Sequence, residues 1–147
     1  MKITAYELAT RFVGVKEIPG QLHNPAILAM LKLDQDWPES DEVPWCSAFV
    51  NYIAWLLRLP RSKSLLARSW LGVGLPVEVG FAGWDVVILA RGKNPPGRSN
   101  LTAPGHVGFY GGSTGSVVYV LGGNQGDSVS ISEFPQARVL GYRTLRY

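Results

Sequence analysis

The chain is poor in the residues that build metal and disulfide sites. Of its 147 residues one is cysteine, Cys46, and two are histidine, His23 and His106. A single cysteine excludes an internal disulfide framework and a Cys-based zinc centre, and two histidines leave little for a His-rich one. No metal and no organic cofactor is expected. Long apolar runs are missing too. The longest, Ala26 to Leu31 and Tyr52 to Leu57, fall far short of the ~18 residues a membrane span needs, so no stable membrane insertion is expected. Charged residues make up only 17% and the formal net charge is +3, too small an imbalance to mark a nucleic-acid partner. Met1 to Glu7 lack the apolar core of a secretory leader, which predicts synthesis in the cytoplasm without a signal peptide.

What is present is the composition of a folded domain. Apolar residues reach 46%, and the length suits one core, so residues 1–147 are read as a single domain. Acidic side chains gather in one stretch, Asp34, Asp36, Glu39, Asp41 and Glu42, which reads as a solvated loop. His23 carries no signal of its own.

The first half has helical signals. Thr4 with Glu7 forms a capping-box pattern, predicting a helix to about Val13. Asn24-Pro25 is an N-cap followed by a proline at the first helical position, opening Ala26 to Leu33. Pro44-Trp45-Cys46 opens a third helix to about Leu59. Its Cys46, Phe49, Val50, Ile53 and Leu57 recur at helical spacing beside a thin polar stripe of Ser47, Asn51 and Arg58. A fourth helix is expected over Ser64 to Leu71, stopped by Gly72 and Gly74. The second half changes to a strand period, with candidates over Trp84 to Ala90, His106 to Tyr110, Val117 to Leu121, Val129 to Phe134 and Val139 to Leu145. Gly111 to Gly115 reads as a hairpin turn. Helices followed by strands imply an α+β fold, N-terminal helices packed on one face of an antiparallel sheet of about five strands.

This order gives Cys46 a chemical context. In the first turn of a helix, free N–H groups and the positive end of the helix dipole favour a thiolate. His106, after the loop that ends Pro104-Gly105, opens a strand and can act as its base. A turn centred between Ser113 and Thr114 places His106 opposite Leu121. The next polar side chains are Asn124 and Gln125, and either amide can orient the imidazole. Taken singly, a cysteine on an apolar helix is commonly a small core residue and a lone histidine a hydrogen-bonded one; the combination is what points to nucleophilic catalysis.

Four blocks, Pro44-Trp45-Cys46-Ser47-Ala48-Phe49-Val50-Asn51, Ala67-Arg68-Ser69-Trp70-Leu71, Gly105-His106-Val107-Gly108-Phe109-Tyr110 and Leu121-Gly122-Gly123-Asn124-Gln125, together resemble small phage and bacterial proteins of the NlpC-like and CHAP branch of papain-like cysteine peptidases. The likeness runs nearly from end to end. It implies a papain-like fold and peptidoglycan hydrolysis, as an endopeptidase or an N-acetylmuramoyl-L-alanine amidase, with Cys46 as nucleophile, His106 as base and Asn124 as the orienting residue, Gln125 being the alternative. Two positions depart from the family pattern. Gly122 stands where relatives often carry an acid, and Trp84 interrupts the usual Gly-Asp pair as Gly83-Trp84-Asp85.

Trp45, Trp70 and Trp84 are candidates for stacking on substrate, Trp45 foremost because it adjoins the nucleophile, and Arg68 is a candidate for meeting stem-peptide carboxylates. As an endolysin or a secreted antibacterial effector the protein would act on the cell wall, reaching it through a holin, a phage tail or a secretion apparatus, with an immunity protein as a further partner. The same triad also serves acyltransferase and deamidase toxins. A wall-binding module with an inert Cys46 is the non-enzymatic alternative.

Overall fold

A computed structural model describes residues 2–18, 24–33 and 45–147; His23, Pro44 and the acidic stretch Asp34 to Glu42 lie outside them. Three α-helices come first, α1 (Ala5–Thr10), α2 (Pro25–Lys32) and α3 (Cys46–Leu56). Both caps read in the sequence are formed: the Thr4 side chain accepts from the Glu7 N–H while the Glu7 carboxylate accepts from the Thr4 N–H, and Asn24 accepts from the Ala26 N–H. Helix α1 ends at Thr10, earlier than Val13, and α3 ends at Leu56 because Arg58 turns into a left-handed conformation. The expected fourth helix is a 3-10 turn, Ala67–Gly72.

The fold is α+β, with a six-stranded antiparallel sheet in the order β1-β6-β2-β3-β4-β5, where β1 is Leu75–Val77, β2 Asp85–Ala90, β3 Gly105–Ser113, β4 Val117–Gln125, β5 Ser128–Pro135 and β6 Val139–Thr144. The added strand is β1, three residues with Pro76 at their centre. Proline survives there because β1 is an edge strand, paired only with β6. Every residue of β2 is buried, as befits a strand with apolar layers on both faces. On one face lies the main core, where Phe49, Ile53 and Trp70 meet Val86, Ile88, Val107, Phe109 and Leu121. On the other is a smaller cluster of Val87, Leu89, Tyr110, Val118 and Val120. The alternation along β2, β3 and β4 thus supplies two apolar faces.

The β3–β4 hairpin corrects the expected turn. Strand β3 continues through Gly111 and Gly112, and the chain reverses over Thr114 to Ser116, closed by the Thr114 N–H on the Val117 carbonyl. Phe109 then faces Leu121 and Tyr110 faces Val120, three residues along from the sequence-based register. The two glycines belong to an irregularity in the pairing, and Gly112 has φ +117°, a backbone form that other residues adopt at a cost.

Helix α3 lies very close to β4. A Cβ at Gly123 would stand 2.5 Å from the Trp45 ring and 2.9 Å from Phe49 Cβ. Gly123→Ala therefore overpacks the contact that seats the start of α3, and the expected loss is about 1–3 kcal/mol of stability. Urea unfolding checks this: the midpoint falls with no change in the slope of ΔG against denaturant.

Candidate active site

Cys46 is the first residue of α3 and is buried, with 3% of its surface exposed. Trp45 before it takes the cap position without a side-chain cap bond, so the first N–H groups of the helix are free to serve a negative charge. Burial by itself pushes the Cys46 thiol up. A hydrogen bond and charge attraction from His106, with the backbone N–H groups of Val107 and Ser47, outweigh it and hold the thiol below its ordinary value of 9.0.

His106 is buried near the start of β3. Its ring stacks on Phe134 of β5 at a centroid separation of 5.0 Å and an angle of 27°. Its Nε2 lies 2.8 Å from Gln125 Oε1. The protonation can be assigned from what surrounds the amide. Gln125 Nε2 donates to the carbonyls of Val120 (3.1 Å) and Ser130 (2.8 Å), which can only accept. The amide oxygen must therefore face the ring, so His106 Nε2 carries the hydrogen and Nδ1 is left for Cys46. The structure thus assembles Cys46, His106 and Gln125 into one relay.

Asn124, the residue favoured by the family resemblance, is not in that relay. The cause is a bulge near the end of β4. Strand pairing runs regularly to Gly122 opposite Ser130 and resumes at Gln125 opposite Ser128, one residue out of step. Asn124 is the kink, with φ +58°, a left-handed form that asparagine tolerates better than most residues. An extra residue inverts the alternation of side chains, so Gln125 takes the face that Asn124 would have occupied. Gly126 and Asp127, both at positive φ, then form the two-residue turn into β5.

Gly122 has a matching explanation. A Cβ there would come 2.5 Å from Gln125 Oε1 and 3.4 Å from His106 Nε2. The space an acidic side chain would need at this position is filled by the glutamine amide.

The other predicted site residues have structural roles, which corrects their assignment to substrate. Trp45 is fully buried and its Nε1 donates to Glu17 Oε1 at 2.7 Å. Trp70 is fully buried and its Nε1 donates to Ser47 Oγ at 2.9 Å. Trp84 lies beneath the Arg146 guanidinium, 4.8 Å from the ring centroid. Arg68 is fully buried, donating to the carbonyls of Pro104, Gly97 and Asn100. It holds the loop that delivers Gly105 and His106 and is out of reach of a substrate. Asp85 accepts from the Phe81 N–H, a turn contact away from the chemistry.

Sequence reasoning missed Phe134 and Ser130, the supports of the imidazole and of the amide. Both lie on β5, a strand distant in sequence from Cys46 that pairs with β4 and not with β3, and no local pattern marks them. The polar stripe on α3 also gains a role. Ser47 Oγ donates to the Ser64 carbonyl, and Asn51 bridges Ser47, Ser62, Lys63 and Ser64. This network fixes the segment whose Leu65 and Leu66 form one wall of a cavity of about 350 Å³ with Cys46 in its lining. A second cavity of about 310 Å³ is lined by His106, Phe134 and Arg138.

Among the described residues, no group of three or more His, Cys, Asp or Glu side chains could hold a metal ion, and no helix is long and apolar enough to cross a membrane. Comparison of the chain with protein-family models finds no match, and comparison with curated proteins finds none either.

The lowered thiol has a measurable consequence. Iodoacetamide modifies only the thiolate, so its rate with the native protein should rise through an inflection below pH 9.0, the ordinary value. His106→Ala removes a lowering influence and leaves the burial, so the inflection should move up. A rate profile that is the same in both proteins would contradict the coupling.

Proposed function

We propose that the protein is a papain-like cysteine hydrolase that cleaves an amide bond in peptidoglycan peptides. The observation that carries this reading is the relay itself: a thiol at a helix start, lowered by an imidazole whose far nitrogen is held by a buried amide. An inert wall-binding module has no use for a cysteine so activated. The direction toward peptidoglycan comes from the four sequence blocks that resemble the NlpC-like and CHAP enzymes.

The chemistry follows from the groups in place. The Cys46 thiolate attacks the amide carbonyl carbon, and the Cys46 backbone N–H at the helix start is placed to donate to the developing oxyanion. The imidazolium of His106 gives its Nδ1 proton to the leaving nitrogen as the C–N bond breaks, leaving a thioester. The neutral ring then takes a proton from water, whose oxygen attacks the thioester. The acid product departs and the thiolate is restored. Gln125 keeps Nε2 protonated throughout, so that Nδ1 is always the atom that exchanges the proton. In this reading the glutamine does the work expected of an asparagine.

Digestion of purified sacculi tests the proposal, with released fragments identified by mass spectrometry. Wild type should release fragments and Cys46→Ala none. Gln125→Ala should lose about 10²-fold in rate, the scale of a catalytic group displaced by ~1 Å, whereas Asn124→Ala should keep most of the activity. New N-termini on stem or bridge residues identify an endopeptidase, and lactyl groups freed on the glycan an amidase. Equal release by wild type and Cys46→Ala would overturn the reading.

A further inference from the structure

The relay sits between two cavities, one with Cys46 in its wall and the other with His106. Among the described residues they share one lining residue, Arg91, which follows the last residue of β2. Its backbone N–H is tied to the Pro104 carbonyl, next to the Gly105-His106 strand opening, and its side chain is exposed. Among the described residues, the ionisable side chains in the two linings besides Cys46 and His106 are Arg91 and Arg138, and none is a carboxylate. Arg138 is already engaged, donating to the Gly92 carbonyl. The remaining walls, among them Leu65, Leu66, Ala67, Phe134 and Pro135, are apolar or small. An exposed cation at the junction of the two cavities, with no carboxylate beside it among the described lining residues, favours a ligand that brings the anion.

We propose that Arg91 is a specificity-determining residue that binds a carboxylate carried by the substrate close to the scissile amide. The inference rests on the cysteine-hydrolase reading and refines it: the cleft selects acidic acyl substrates over neutral ones of the same shape. Arg91 takes no part in bond making. Its fork of N–H groups matches the two oxygens of a carboxylate, whereas a primary amide offers one acceptor and two donors.

Two alkylating agents of nearly equal size separate this inference from the reading beneath it. Iodoacetate and iodoacetamide each lose iodide to the Cys46 thiolate, forming the same S–CH2 bond, and differ in carrying a carboxylate or an amide. The readout is the ratio of the iodoacetate rate to the iodoacetamide rate, referred to the same ratio for free cysteine at the same pH and salt. Arg91→Gln should lower the ratio about three- to fivefold, the size expected for an exposed charge pair. Arg91→Lys should recover part of it, and high salt should compress the difference. Arg98→Gln, at an exposed arginine lining neither cavity, should not change it. A ratio unaltered in Arg91→Gln, or lowered equally by Arg98→Gln, overturns the role of Arg91 and leaves the hydrolase reading standing. A native Cys46 that reacts with neither agent overturns both.

Discussion

The hydrogen bond between His106 and Gln125 decides which nitrogen of the imidazole faces the sulfur, and much of the surrounding structure exists to keep it in place. The amide is oriented by two backbone carbonyls, one from its own strand and one from β5. The ring is held flat against Phe134. Gly122 leaves the room that the amide oxygen occupies, and the bulge at Asn124 turns the amide to the correct side of the sheet. Each of these parts is unremarkable alone. Together they remove the freedom of a five-atom ring that would otherwise choose between two protonation forms.

The nucleophile is prepared by a separate set of contacts. Burial opposes its charge, so the thiolate depends on donors that aim at it: the imidazole and the N–H groups of Ser47 and Val107. Two of those three donors come from adjacent residues of β3. The strand therefore positions its base and one of its backbone donors in a single act, and the loop anchored by buried Arg68 sets where that strand begins. Among the described residues no carboxylate pairs with that guanidinium, and a buried charge so placed is costly unless other groups satisfy it. Here three carbonyls of one loop surround it, and it acts as a core on which the loop is shaped.

Much of this was legible in the sequence. The caps at Thr4 and Asn24, the apolar α3 with Cys46 at its head and five of the six strands follow from local pattern and spacing, whereas the pairing of Cys46 with His106 drew also on the family resemblance. The third member did not resolve, and the reason is physical. One extra residue in a strand reverses which side chains face a given layer, and a bulge at an asparagine leaves no mark that distinguishes it from regular strand. The tryptophans and Arg68 misled for another reason. Stacking faces and charged forks serve packing and loop anchoring as well as ligands, and only burial tells the uses apart: all three of Trp45, Trp70 and Arg68 are fully enclosed.

The short segment from Gly14 to Glu17 has a significance beyond its size. Its backbone exchanges hydrogen bonds with Val129 and accepts none of the usual looseness of a connector, for Glu17 also donates to the Asp127 carbonyl at the tip of the hairpin that carries the amide. The Glu17 carboxylate meanwhile grips the indole of Trp45, the neighbour of the sulfur. One four-residue stretch thus clasps both the nucleophile's helix and the far end of the relay. The two halves of the chemistry, distant along the chain, are mechanically joined through a third place, and loosening that clasp would let them drift apart while leaving every reacting atom intact.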